Sequence, residues 1–319
     1  MDILFWLKTI LVLIILCIIG IPWIFRYFQD VFIYKPPDRT LVKKQHDQLK
    51  TILENKEDVK LISFKTSDGT SLSGIIVYAH CSSEKKTIII FSTNSSYVEE
   101  MTSLILTYKD NHYCNIVMFS YRNFGMSEGN IPNEDIIIQD AKEIYYYVCS
   151  MPRIDSKKMV IYGNSLGGAV AIALVYELYN HLYDPTVVEV APPIGLIVEN
   201  SFTSIPELAP FIVKTLPYKV YLFIHWIPFL YYFLFDQNIW DSQERITNIS
   251  CPVLFLSGNN DSFVPPEMMI SLYKTCLSKD KNFVNFTNQG HILDSNSKCY
   301  VDSINKFLFS LYFRVFFLI

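Results

Sequence analysis

Apolar positions along the chain fall into three kinds of pattern. At the N-terminal end the run is nearly unbroken. Thr9 to Phe25 carries no charge, and Ile3 to Leu7 extends the run with only Lys8 between. That is enough to cross a bilayer, which takes roughly 20 residues. From residue 59 onward, short apolar runs alternate with helical periodicity. Val59 to Phe64 roughly alternates, Ser67-Asp68-Gly69 marks a turn, and Ser71 to Tyr78 resumes a strand pattern, which predicts an antiparallel hairpin. Thr87 to Phe91 is a continuous apolar run suited to a strand buried on both faces. Asn115 to Ser120, Met159 to Tyr162, Ile194 to Val198, Val253 to Ser257 and Phe283 to Phe286 add further strands. Helices are expected over Tyr97 to Lys109, Ile136 to Val148, Glu267 to Leu277 and Tyr300 to Leu311, with a short one over Leu41 to Leu53. A hairpin followed by repeated strand–helix units predicts an α/β fold with a mostly parallel sheet of eight strands and helices on both faces. The third pattern interrupts this rhythm. Between Ser204 and Ile249 there is only an aromatic segment, Val220 to Phe235, which holds His225 and Pro228 and is shorter than a bilayer span.

The chain therefore divides into an N-terminal transmembrane anchor (1–28), a linker (29–57) and one α/β domain (58–319), with 205–248 as an insertion. The insertion is expected to form a hydrophobic lid that touches lipid, or to pack as an ordinary cap. An uncleaved anchor is favoured over a signal peptide because Gly20-Ile21-Pro22-Trp23 leads into bulky aromatics rather than a small-residue cleavage site. The bilayer is then a partner of the chain. Arg26, Lys35, Arg39, Lys43 and Lys44 follow the span, which favours a cytosolic domain. Four Asn-x-Ser/Thr sequons, headed by Asn94, Asn248, Asn260 and Asn285, would matter only in the opposite orientation. Half of the residues are apolar and the net charge is -4, so a large core is available and nucleic acid is not an expected partner. The seven cysteines (17, 81, 114, 149, 251, 276 and 299) are widely spaced with no Cys-x-x-Cys, and are expected to be buried small hydrophobes. No cofactor or metal site is expected.

The chemistry centres on Met159-Val160-Ile161-Tyr162-Gly163-Asn164-Ser165-Leu166-Gly167-Gly168. A strand passes through a tight Gly-flanked turn into a small-residue helix, which is the context of a nucleophile elbow. Ser165 should then take a strained backbone conformation that thrusts its hydroxyl out of the sheet. The Leu166 amide, at the helix start, would face a developing oxyanion. Order along the chain selects the partners. His181 precedes any strand that could supply an acid, and His225 lies in the aromatic insertion. His291, in Asn288-Gln289-Gly290-His291, follows the last strand and is the expected general base. Asp261, just after the run 253–257 and before Pro265-Pro266, is the expected acid, with Glu199 as its rival. The second oxyanion donor should come from Ser92-Thr93-Asn94-Ser95-Ser96, with the Asn94 amide as first choice.

With Tyr121-Arg122-Asn123-Phe124-Gly125-Met126-Ser127-Glu128-Gly129, the elbow, Val198-Glu199-Asn200-Ser201-Phe202-Thr203-Ser204-Ile205-Pro206 and the Asp261 and His291 loops in this order, the chain from Tyr34 onward resembles the α/β-hydrolase superfamily. It is most similar to the membrane-anchored subgroup containing abhydrolase-domain-containing protein thirteen and the bud-emergence (Bem) proteins. The resemblance implies a serine hydrolase acting on esters or thioesters, with Ser165, Asp261 and His291 at the triad positions. An anchored domain with an apolar lid suits an acylated lipid or acylated protein as substrate. Two positions depart from the family pattern. Phe91-Ser92-Thr93-Asn94 stands where Phe-His-Gly-Asn is usual, and a β-branched Thr93 would make any positive φ there costly. Asn123 also replaces a usual glycine. The alternatives are a catalytically weak scaffold that binds a membrane or polarity partner, and a serine aminopeptidase-like peptidase.

Overall fold

Eight strands follow the predicted order: β1 (Val59–Lys65), β2 (Ser71–Val77), β3 (Thr87–Phe91), β4 (Asn115–Phe119), β5 (Met159–Asn164), β6 (Gly195–Glu199), β7 (Val253–Gly258) and β8 (Lys281–Phe286). The computed structural model describes residues 5–6, 8–12, 20, 29–31, 33–180, 190–213 and 239–312. Within them the strands form one sheet in the order β1-β2-β4-β3-β5-β6-β7-β8. The β1–β2 and β2–β4 pairs are antiparallel and the other five are parallel. The chain steps from β3 outward to β4, then returns across β3 to β5. This reversal opens a crevice at the carboxyl ends of β3 and β5, where open α/β sheets bind ligands.

Helices among the described residues include α1 (Arg39–Leu53), α2 (Val98–His112), α3 (Glu134–Cys149), α4 (Leu166–Asn180), α5 (Ile205–Val213), α6 (Ser242–Arg245), α7 (Pro266–Thr275) and α8 (Lys298–Ser310). Local chemistry sets several of their starts. Asp38 follows Pro36-Pro37 and caps α1 by accepting from the Thr40 and Leu41 amides at 2.8 and 3.1 Å. Asn133 caps α3 through the Ile136 amide, ahead of Glu134 and Asp135 in the first turn. Successive β3 residues go to opposite faces, as a period of two requires. Ile89 and Phe91 join one core with Ile144 of α3 and Ala169 of α4, and Ile88 and Ile90 join the other with Ile105 of α2 and Ile304 of α8. Helix α4 is buried on nearly every side, because it lies between the sheet and its neighbours.

Most of the anchor expected over 1–28 lies outside the described residues. So do His181, His225 and the aromatic segment Val220 to Phe235. No helix among the described residues is long and apolar enough to cross a membrane. The cysteine expectation holds in part: Cys114, Cys251 and Cys276 are buried, whereas Cys81 and Cys299 are exposed. Cys81 sits in a left-handed turn before β3 (φ 55°) and Cys299 near the start of α8, both on the surface.

Candidate active site

Four strand ends deliver the candidate residues to one rim. Ser165 follows β5 with φ 56°, the left-handed backbone that the elbow pattern predicts. Such a conformation is costly for a residue bearing a Cβ. It persists here because both flanks are fixed. The Ser165 amide donates to the Glu199 carbonyl at 2.9 Å, and the Ser165 carbonyl accepts from the Ser201 hydroxyl at 2.9 Å. Glycine is compulsory beside it. A Cβ on Gly163 would lie 2.0 Å from the Gly167 carbonyl oxygen, and one on Gly167 would lie 1.9 Å from the Phe91 carbonyl oxygen. The second contact also places the end of β3, and with it the loop carrying Asn94, against the start of α4. Leu166 opens α4, where a backbone N–H has no acceptor within the helix.

Asp261 and His291 meet. His291 Nδ1 lies 2.7 Å from Asp261 Oδ2, and the other carboxylate oxygen accepts from the Phe263 and Val264 amides at 2.8 and 2.9 Å. Facing a carboxylate oxygen, Nδ1 is placed as the donor, and in the neutral ring Nε2 then keeps its lone pair. The two loops close on each other. Asn260 donates its amide to the Gln289 carbonyl, and a Cβ on Gly258 would fall 2.3 Å from the Gly290 carbonyl oxygen. Among the described residues no hydrogen bond joins the Ser165 hydroxyl to the His291 ring.

Glu199, the rival acid, faces elsewhere. Its carboxyl is fully buried and takes hydrogen bonds from Tyr162, Tyr300 and the Asn164 side chain at 2.7, 2.7 and 2.6 Å. Burial raises its pKa, partly offset by these donors. Asn94 lies on the predicted loop, where its side-chain nitrogen donates to the Ile33 carbonyl. Thr93 is not among the residues with positive φ, and its hydroxyl pairs with that of Ser96 at 2.8 Å. Asn123 does take the left-handed region, at φ 64°.

Sequence reasoning assigned no task to Asn200, Ser201 or Phe263. The Asn200 side chain donates to the carbonyls of Gly290 and His291 at 3.2 and 2.8 Å and accepts from the Gly258 amide at 2.8 Å. Adjacent residues thus hold the backbones of both Ser165 and His291. An asparagine directly after a buried strand, before serine, was the signal available. Phe263 is 57% exposed, and its ring centroid lies 5.5 Å from that of His291.

An elbow at the crevice of a mostly parallel eight-stranded sheet defines an α/β-hydrolase. A family model for "Serine hydrolase (FSH1)" matches residues 159–301. Protein bem46 of Schizosaccharomyces pombe is 30% identical over 268 residues, covering 82% of this chain and 81% of that one. A membrane protein of Saccharomyces cerevisiae is 30% identical over 224 residues, 70% of each chain. Lysophosphatidylserine lipase ABHD12 of Danio rerio is 34% identical over 163 residues, 50% of this chain and 38% of that one. Among solved structures, the Pyrococcus furiosus esterase Pf2001 superposes with a TM-score of 0.61 at 17% identity, covering 82% of this chain and 93% of that one. The chain belongs to the bem46 family of α/β-hydrolases, and it is a serine hydrolase.

Proposed function

We propose that the protein is a membrane-anchored hydrolase of acyl esters or thioesters, working through Ser165, His291 and Asp261 and a covalent acyl-enzyme. The observation that carries this reading is the 2.7 Å bond from His291 Nδ1 to Asp261. It fixes the imidazole in the tautomer whose Nε2 can take the Ser165 proton. The serine oxygen attacks the substrate carbonyl, and the oxyanion is received by the Leu166 and Asn94 amides. Imidazolium then protonates the departing alcohol or thiol, and water returns along the same route to release the acid.

An apolar acyl group fits the rim. The Phe263 ring lies beside that of His291, Ile292 follows His291 in the chain, and both are exposed. The apolar N-terminal stretch supplies the anchor and the segment within 205–248 the lid, which together would present a lipid-like chain to the crevice. A relative named as a membrane protein and another named as a lysophosphatidylserine lipase support this choice.

A fluorophosphonate probe on the full-length protein tests the reading. The wild type is expected to label and Ser165→Ala not to, while both remain folded by circular dichroism. A folded wild type that fails to label overturns the assignment. Esters and thioesters of graded acyl length then distinguish the two leaving groups.

A further inference from the structure

Glu199 ends β6 beside the last residue of β5. The two strands run parallel with Asn164 opposite Glu199, so both side chains project from the same face of the sheet. Tyr162, two residues earlier in β5, shares that face. The carboxyl group accepts from the Asn164 side-chain nitrogen at Oε1 (2.6 Å) and from the Tyr162 hydroxyl at Oε2 (2.7 Å). Oε2 also accepts from the Tyr300 hydroxyl of α8 at 2.7 Å. The Tyr108 hydroxyl of α2 closes the group, 2.5 Å from that of Tyr300 and 3.3 Å from that of Tyr162. Burial and the charge of Glu199 raise the pKa of Tyr162 and Tyr300, which therefore stay protonated at neutral pH and remain donors. Two helices and two strands meet on one acid.

Stability alone does not call for a carboxyl group there. Glu199 is 3% exposed, and a buried acid gives up hydration that its partners only partly return, so an apolar side chain of similar size often serves a core as well or better. What distinguishes the position is its neighbour. The Glu199 carbonyl accepts from the Ser165 amide at 2.9 Å while its side chain holds Asn164, so one residue grips two successive residues of the elbow. Ser165 is held at φ 56°, and such backbone persists only where its surroundings over-determine it. The other end of the Asn164 amide gives no hold: its Oδ1 is buried with no hydrogen-bond partner among the described residues. The bond to Glu199 is therefore what orients the side chain next to the nucleophile.

We propose that Glu199 is a positioning residue for the nucleophile: its carboxyl group, braced by Tyr162 and Tyr300, holds Asn164 so that the Ser165 hydroxyl keeps its attacking geometry. The proposal rests on Ser165 being the nucleophile, and it gives Glu199 no part in proton transfer. Asp261 orients the histidine ring, whereas Glu199 acts through the end of β5. The residues that follow it extend the same task. Asn200 ties the carbonyls of Gly290 and His291, and Ser201 ties the carbonyl of Ser165. Three successive residues after one buried strand thus set the two reacting groups relative to each other. Loss of the Asn164 bond loosens the elbow, where a shift of about 1 Å can cost as much as 100-fold in rate.

The rate of fluorophosphonate labelling reads the reactivity of Ser165 directly. It is measured on the full-length protein well below its melting temperature and expressed per folded molecule. Asn164→Ala removes the donor and is expected to label about tenfold more slowly, with kcat for a short acyl ester falling by a similar factor and KM nearly unchanged. Asn164→Asp combined with Glu199→Gln exchanges donor and acceptor across the same contact, and should label within about threefold of the wild type. An Asn164→Ala rate equal to the wild type overturns the proposal, as does a loss that appears in KM alone. An exchanged pair that labels no faster than Asn164→Ala also overturns it. If Asn164→Ala does not fold, the exchanged pair is judged against the wild type, and a loss of about tenfold or more overturns the proposal. A wild type that does not label overturns the nucleophile assignment and this proposal together, whereas a labelling wild type with indifferent variants overturns the proposal alone.

Discussion

Asn200 shows how much one side chain can hold. Its amide reaches the carbonyls of Gly290 and His291 and the N–H of Gly258, so three backbone groups from two loops converge on it. Replacing it by leucine strands these groups and frees the histidine loop. A displacement of about 1 Å at a reacting group can cost as much as 100-fold in rate. For Asn200→Leu we expect kcat for ester hydrolysis to fall by about tenfold or more, with KM nearly unchanged. Steady-state kinetics on a short acyl ester check this, and an unchanged kcat would mean that the loop is held by other means. Lys86 gives a prediction of opposite character. Its pKa near 7 in the folded chain lies below the ordinary 10.5. Between those values the unfolded chain holds a proton that the native chain has lost, so stability rises with pH across that window. Melting curves should therefore show Lys86→Met stabilising the protein most at or below pH 7, with the advantage shrinking towards pH 10. A constant difference across the range would contradict the buried, desolvated amine.

At the scale of elements, the loop after β4 is fastened by Arg122. Its guanidinium makes a two-pronged pair with Asp140 of α3 at 2.6 and 2.7 Å and reaches Asp68 and Thr70 in the β1–β2 turn at 2.5 and 2.9 Å. Hairpin, loop and helix are thereby locked together. Asp140 is buried, and burial raises its pKa against the pull of Arg122. Arg122→Met should cost about 3–5 kcal/mol by leaving that carboxylate unpaired. Adding Asp140→Leu should recover most of the loss, as urea unfolding of both variants would show. The strands themselves were legible in the sequence, because runs such as Thr87 to Phe91 have few other uses than the middle of a sheet. The hairpin and the elbow were legible for the same reason: each is a local pattern. Contacts between distant segments left no such trace. Nothing in Lys85-Lys86 distinguishes a half-exposed lysine from a buried one, nor does Thr93 disclose that its backbone avoids positive φ. Asn94 read as a backbone donor, yet its side chain binds a carbonyl 61 residues away.

Over the whole molecule, parts remote in sequence close around the elbow. Tyr34 is 1% exposed, and its hydroxyl accepts from the Trp240 indole at 2.9 Å, joining the segment before α1 to the chain just ahead of α6. Trp240 in turn donates its amide to Glu134 at the start of α3. Tyr34→Phe leaves the indole N–H buried without a partner, a cost of about 1–3 kcal/mol. Chemical denaturation should register that loss, and a value near zero would show that the indole finds another acceptor.

The bond from Asn94 to the Ile33 carbonyl has a practical side. Hydrophobic N-terminal stretches are routinely trimmed to obtain material that stays in solution, and the start of β1 is an inviting place to cut. Such a cut would remove the strap that braces the loop beside Ser165, along with Tyr34 and the first helix. Material trimmed there would turn over slowly through a slack loop, and its sluggishness would say nothing about the intact enzyme. Trimming ahead of Gln29 keeps the brace.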